Sequence, residues 1–200
     1  MSSLFFLFDL DSTITKQEIL PTVSKMVSKE KEMRELTEKT MQGELPFKES
    51  FLQRVDILKN IPISEVQNIV ENIELNEYIV KFIKENRDRC FIVTGNLDIW
   101  IYKLLKKIGI ENNVFCSKAL YDDDKLSYVV SVIDKSLICE QFVHNFVAIG
   151  DGNNDADMVK QAKYGIGFGG VRPIANALIE NADYAFYSDK KLYDFLNKLK

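Results

Sequence analysis

The sequence predicts an α/β fold: a doubly wound parallel sheet with a small helical bundle inserted after its first strand. Three observations carry this. The short, continuously apolar runs Leu4-Phe5-Phe6-Leu7-Phe8, Phe91-Ile92-Val93 and Phe146-Val147-Ala148-Ile149 are what strands buried on both faces look like, as in a parallel sheet. Segments with apolar residues at intervals of three and four separate them, as crossover helices require. Each run also ends in polar or acidic residues: Asp9 and Asp11, Thr94 and Gly95, Asp151 and Asp155. Parallel strands joined by helices bring such ends to one edge, where open sheets bind ligands.

Taken in order, the chain turns helical after Thr13 and stays so for residues 15–75. Ile19, Val23, Met26 and Val27 recur at helical spacing, and a charged helix over Lys29 to Lys39 stops near Gly43. Phe47, Phe51, Val55 and Leu58 form an apolar stripe, and Ser64-Glu65-Val66-Gln67 after Pro62 has the form of a capping box. This segment is expected to be a helical cap, with residues 1–14 and 76–200 forming the α/β core. Strand and helix then alternate. Ile79, Phe82 and Ile83 mark one helix, and Ile101, Leu104, Leu105 and Ile108 another, closed by Gly109. Residues 115 to 133 read as a hairpin around Asp122-Asp123-Asp124. Those acids lack the glycine and distal glutamate of a calcium loop, so a solvated turn is expected. Gly165-Ile166-Gly167-Phe168-Gly169-Gly170 matches G-x-G-x-x-G. It holds its apolar run inside the glycines, with Pro173 opening the next helix, so it reads as a strand with close-packed glycines.

Composition narrows the function classes. With 200 residues, 46% hydrophobic, 28% charged and a net charge of -4, the chain reads as one globular domain with an insertion. It has no basic footprint for nucleic acid. No apolar stretch reaches the length of a membrane span and no basic leader precedes the first strand, so a cytoplasmic location is expected. Cys90, Cys116 and Cys139 form no C-x-x-C pair and read as small buried residues, and the lone His144 near a helix end supports no His-dependent nucleophile.

Acids at one sheet edge, without histidine or cysteine, point to a hard cation, and Mg²⁺ fits best because it keeps waters for substrate phosphate. The Thr94 hydroxyl and Gly95 amide are neutral donors for phosphate oxygens. Lys135 stands in the first turn of a helix, where the macrodipole disfavours a cation unless anions lie near. An aspartate can attack phosphorus to form an aspartyl-phosphate. A second carboxylate two residues on can protonate the leaving alkoxide and then deprotonate water. Asp9-Leu10-Asp11 is the pair this reaction requires.

In these motifs and their order, the chain resembles the haloacid dehalogenase-like phosphatases, whose core is Rossmann-like: Asp9-Leu10-Asp11-Ser12-Thr13, Thr94-Gly95, Lys135, and Gly150-Asp151-Gly152-Asn153-Asn154-Asp155. The resemblance implies Asp9 as nucleophile, Asp11 as acid/base, and Asp9, Asp151 and the Asp11 backbone carbonyl as metal ligands. It implies Asp155 behind the metal's waters, and Thr94, Gly95, Lys135 and Asn154 around phosphate. Within the superfamily the likeness runs furthest to phosphoserine phosphatases, through Thr40 to Phe47 and Arg54-Val55. It implies Glu18 for the substrate ammonium, Arg54 for its carboxylate, Met41 and Phe47 as the cap's lining, and a small phosphomonoester, phosphoserine first, as substrate. Arg54 also falls beside the apolar stripe, where an arginine needs an anion; a rim pair with Glu49 or Glu74 is the alternative. The chain departs from that family at Thr94-Gly95-Asn96, where Ser-Gly-Gly is usual, and Lys16 to Leu20 lacks a second acid. Transfer of the phosphoryl group to another alcohol such as homoserine, and a receiver-like phosphate-binding domain, are the competing readings.

Overall fold

The computed structural model describes residues 4–200. Seven strands, β1 (Phe5–Phe8), β2 (Cys90–Leu97), β3 (Val114–Asp122), β4 (Lys125–Ser131), β5 (Phe146–Gly150), β6 (Tyr164–Phe168) and β7 (Tyr184–Phe186), form one sheet in the order β4-β3-β2-β1-β5-β6-β7. All neighbours are parallel except the β3–β4 hairpin. Alternate residues of the central strands feed two cores, one on each face. Phe6, Phe8, Val147 and Ile149 join one; Leu7, Phe146 and Ala148 join the other, and all are fully buried. Burial on both faces is why these strands are apolar throughout rather than alternating.

Ten α-helices accompany the sheet among the described residues: α1 (Ile19–Ser24), α2 (Glu30–Met41), α3 (Phe47–Leu58), α4 (Ile63–Glu71), α5 (Glu77–Glu85), α6 (Asp98–Ile108), α7 (Lys135–Cys139), α8 (Ala156–Gln161), α9 (Asn176–Ile179) and α10 (Asp189–Leu199). The first four lie between β1 and the α5–β2 unit. The chain leaves and re-enters at one clasp, where Thr15 bridges Leu75, the Lys16 amide donates to the Glu74 carbonyl (2.7 Å) and the Asn76 side chain donates to the Thr13 carbonyl (2.8 Å). Gly43 (φ +77°) and Gly109 (φ +79°) take the left-handed conformation that stops α2 and α6.

Three local expectations are corrected. The capping box at Ser64–Gln67 does not form: α4 begins at Ile63 after an extended Pro62 (φ −52°, ψ 135°), two residues before a Ser64 cap would start it. Ser64 then lies inside the helix, its amide and hydroxyl donating to the Asp124 carboxylate, while Gln67 donates to the Ile99 carbonyl (2.7 Å). Asp124 of the acidic hairpin thus caps α4. Pro173 does not open a helix directly: α9 begins at Asn176, after Ala175, which is still extended (φ −61°, ψ 143°) and whose amide donates to the Asp151 carbonyl (2.9 Å). Finally, β2 does not end at Val93 but runs through Thr94-Gly95-Asn96 to Leu97, with a shift of register against β3 between Thr94 and Leu97.

Candidate active site

The ends of β1 and β5 and the start of α7 meet at the sheet's carboxyl edge. Asp9 follows β1, is 5% exposed, and is fixed by its amide donating to the Ile149 carbonyl (2.8 Å). Lys135 opens α7, whose start is capped by the Asp134 side chain accepting from the Ser136 amide (3.0 Å). Its buried ammonium donates to Asp9 Oδ1 and to Asp155 Oδ1 (2.6 Å). The cation at this helix start therefore answers two buried anions, as its placement demanded. Burial opposes the charge on Lys135, but Asp155 and Asp9 outweigh it and its pKa is raised. Burial, then Asp155, pushes the Asp9 pKa well above the ordinary value, against the pull of Lys135.

Asp11 sits at the turn after β1, followed by Ser12 in the left-handed region (φ 55°). The Ile19 amide donates to Asp11 Oδ1 (2.7 Å), and Asn96 Nδ2 donates to Oδ2 and to Thr94 Oγ1 (3.2 Å). Burial and then Glu18 raise the Asp11 pKa to about 6, against those two hydrogen bonds and Arg172. A carboxyl poised there can give up a proton and take one back near neutral pH.

Asp151 and Asp155 follow β5. Asp155 Oδ2 accepts from the Asp151 and Gly152 amides (3.1 and 3.0 Å), which shapes the loop. Carboxylate oxygens of Asp9, Asp151 and Asp155 lie within 4.8 Å of one another, and Asp151 Oδ1 is buried with no hydrogen-bond partner among the described residues. Burial raises the Asp151 pKa to about 8; Arg172 opposes this, and Asp155 and Glu18 add to it. Clustered buried carboxylates with an unpartnered oxygen are costly unless a cation joins them, and the all-oxygen donor set suits a hard divalent ion.

A cavity opens beside this cluster. Asp9, Asp11, Gly95, Asn96 and Asn154 line its sheet side, and Glu18, Met41, Phe47 and Arg54 line its helical side. Thr94 is buried behind Asn96 rather than on the wall. Phe47 stacks on Phe51 (centroids 5.7 Å apart) and presses so closely on Gly95 that any side chain there would collide with its ring. Arg54 is 6% exposed, with Nε 3.4 Å from the Ser50 carbonyl and Nη1 3.3 Å from Thr37 Oγ1. It forms no ion pair with Glu49 or Glu74, or with any carboxylate among the described residues, so the rim-pair alternative is set aside. Burial lowers its pKa, partly offset by Glu18 and Asp11.

Three residues of the site were not found by sequence reasoning. Arg172, in the loop after β6, pairs through Nη1 with Glu18 Oε1 and through Nε with Asp151 Oδ2. Asn153 donates to the Thr40 carbonyl (3.2 Å) and the Met41 carbonyl at the end of α2. Asn96, noticed only as a departure, holds Asp11. Arg172 lies in an irregular Gly169-Gly170-Val171-Arg172-Pro173 stretch; the one signal was its position after a strand that ends on the same sheet edge.

The geometry defines a phosphoryl-transfer site, and comparison with known proteins places it. A family model described as "haloacid dehalogenase-like hydrolase" matches residues 5–163. The chain belongs to that family. It is 31% identical over 177 residues to a phosphoserine phosphatase of Methanocaldococcus jannaschii, covering 81% of this chain and 83% of that protein. It is 30% identical over 176 residues to one of Archaeoglobus fulgidus, covering 80% of this chain and 51% of that protein. Among solved structures, a substrate-bound phosphoserine phosphatase complex superposes with a TM-score of 0.83 at 29% identity. A phospho-aspartyl intermediate analogue of phosphoserine phosphatase gives 0.82 at 29%, and both matches cover 100% of each chain. No helix among the described residues is long and apolar enough to cross a membrane.

Proposed function

We propose that the protein is a Mg²⁺-dependent phosphomonoesterase that dephosphorylates L-phosphoserine through an aspartyl-phosphate on Asp9. One observation carries the reading: one cavity is lined by the Asp9–Asp11 pair and by Arg54, a buried guanidinium with no carboxylate partner among the described residues. A buried arginine of that kind is held ready for an anion. The names of the relatives support phosphoserine as the bearer of that anion.

Lys135 holds Asp9 Oδ1, leaving Oδ2 to attack phosphorus. As the ester bond breaks, Asp11 gives its proton to the leaving alkoxide; it then takes a proton from the water that hydrolyses phospho-Asp9. Asp9, Asp151 and the Asp11 backbone carbonyl would hold Mg²⁺, with Asp155 behind its waters. The ion would supply charge to the transferring phosphoryl group. Gly95, Asn154 and Lys135 would surround the phosphate oxygens, with Thr94 behind them supporting Asn96. Arg54 would take the substrate carboxylate, Glu18 its ammonium, and Met41 and Phe47 its carbon chain. Residues 15–75 would act as a cap that excludes water during turnover.

The test is phosphate release with Mg²⁺ from L-phosphoserine, phosphothreonine, sugar phosphates and an aryl phosphate. Phosphoserine should lead, and Asp9→Asn should abolish every activity. Arg54→Ala should lower kcat/KM for phosphoserine by about 30-fold or more, the cost of removing one partner of a buried charged pair, while sparing the aryl phosphate. Turnover of the aryl phosphate alone would leave the chemistry standing and remove phosphoserine.

A further inference from the structure

Strand β2 outlasts its apolar run, and its register against β3 shifts between Thr94 and Leu97. The Gly95 carbonyl accepts the Ser117 hydroxyl there (2.7 Å), whose oxygen in turn accepts from the Ile133 amide (3.2 Å), so the irregular backbone is fixed from the β3 side. Asn96, 3% exposed, lines the cavity together with Asp9 and Asp11. Its backbone amide and its Nδ2 both donate to Thr94 Oγ1 (3.2 Å each), and Nδ2 also donates to Asp11 Oδ2. The Ile19 amide holds the other oxygen, Asp11 Oδ1 (2.7 Å), so both oxygens of this carboxyl are held. An ionised carboxyl only accepts, which obliges the amide to turn Nδ2 toward Asp11. Asn96 Oδ1 is thereby left buried with no partner among the described residues, a cost to folding that packing alone does not explain. Asn96 stands where glycine is usual in the phosphoserine phosphatases that the chain resembles, so this tether is no part of what that resemblance implied.

We infer that Asn96 is a positioning residue for the acid/base: its amide fixes the Asp11 carboxyl in the rotation that gives a proton to the leaving oxygen and later takes one from water. The inference rests on the reading of Asp9 and Asp11 as a phosphomonoesterase pair, and deepens it. In the first step Asp9 Oδ2 bonds to phosphorus, the ester P–O bond breaks, and the departing oxygen takes the Asp11 proton. In the second, water bonds to the phosphorus of phospho-Asp9, its proton passes to Asp11, and the bond to Asp9 breaks to release phosphate. Without Asn96 only the Ile19 bond remains, and the carboxyl can turn about it. A proton on a misaligned carboxyl is delivered poorly, and the loss grows with the basicity of the leaving oxygen. An alkoxide needs that proton; a nitrophenolate departs without it.

The experiment measures kcat and kcat/KM with Mg²⁺ for L-phosphoserine, phenyl phosphate and 4-nitrophenyl phosphate. The chains are the unmodified protein, Asn96→Ala, Thr94→Val and Asp11→Asn. Asn96→Ala should lower kcat/KM for phosphoserine and phenyl phosphate by about tenfold or more, part of the roughly 100- to 10,000-fold that a positioned acid supplies, and leave that for 4-nitrophenyl phosphate within about threefold. Its kcat for 4-nitrophenyl phosphate should fall while kcat/KM holds, since the second step needs the same carboxyl. Asp11→Asn should give the same pattern, enlarged. Thr94→Val keeps the shape but removes the oxygen that seats the amide, and should shift the ratio of the two aryl esters in the same direction. It decides the matter if Asn96→Ala fails to fold. The aryl esters differ in leaving group and little in size, so their ratio reads Asn96 whether or not phosphoserine is the substrate. An equal fall for both, or a change that leaves every kcat where it was, makes Asn96 a wall of the cavity and overturns the inference alone. The absence of any leaving-group dependence in Asp11→Asn, or of turnover of all three esters by the unmodified protein, overturns it together with the phosphomonoesterase reading.

Discussion

Asp151 illustrates what burial does to a single residue. Its carboxyl titrates near 8 because burial raises it, with Asp155 and Glu18 adding to the effect and Arg172 opposing it. An acid whose folded pKa lies above its unfolded value contributes stability that is full below the unfolded pKa and is lost as pH rises through the folded one. The metal-free protein should therefore lose this contribution between about pH 4 and 8. A divalent cation reverses the sign, since it binds the deprotonated form and displaces the proton. Apparent Mg²⁺ affinity should rise up to about tenfold per pH unit between roughly 6 and 8, and the Tm gained from Mg²⁺ should grow over the same window. Calorimetry in buffers of different ionisation enthalpy would count the proton released. A Mg²⁺ affinity that is flat with pH, or an Asp151→Asn variant that keeps the dependence, contradicts the account. At this scale Asp9, Asp11 and Lys135 were legible because strand ends and a helix start fix where they point. Arg172 was not, because a loop arginine's target depends on how the glycine-rich turn after β6 folds, and no periodicity reports that.

Between elements, the contact that matters most joins the Asp151 loop to the end of α2. The last carbonyls of a helix have no partner within it. Asn153 supplies one, donating to the Thr40 and Met41 carbonyls just before Gly43 turns the chain away. The loop that presents Asp151 and Asp155 to the cavity thus also holds a helix on the cavity's other side. Asn153→Ala removes that bond without touching an acidic side chain. Amides over residues 36–45 should then exchange about fivefold faster or more, the effect of losing about 1 kcal/mol from a local opening equilibrium. Unchanged exchange there would mean that α2 is held by packing alone. Element identities were largely legible, since apolar runs and helical stripes survive without context. Their ends were not. The carboxylate that caps α4 comes from Asp124, 60 residues from Ser64, and β2 outlasts its apolar run because β3 pairs with it beyond Val93.

At the scale of the whole molecule, the helices of the proposed cap are attached unequally to the rest of the chain. Helix α4 is seated on α6 by Ile63, Val66 and Val70 and by polar ties: Gln67 to the Ile99 carbonyl, Lys103 to Asn68 (2.6 Å), and Lys107 to the Glu71 carbonyl (2.7 Å). Its first turn is held by the β3–β4 hairpin through Asp124. The α2–α3 pair has fewer attachments to the sheet, chiefly Asn153 on Met41 and Phe47 on Gly95, both at the cavity. A motion that opens the cavity therefore breaks these contacts and leaves α4 in place, with the chain hinging between Leu58 and Ile63 and at the Thr15–Leu75 clasp. Covered backbone in weakly attached elements exchanges through such openings, and a ligand that bridges both sides suppresses them. With Mg²⁺ and vanadate as a phosphoryl mimic, hydrogen exchange should slow over residues 30–58. Residues 63–71 should already be as slow as 98–108 without ligand and should change little. If α4 gains protection together with α2 and α3, the whole segment from Thr15 to Leu75 moves as one block, and the hinge lies at the clasp alone.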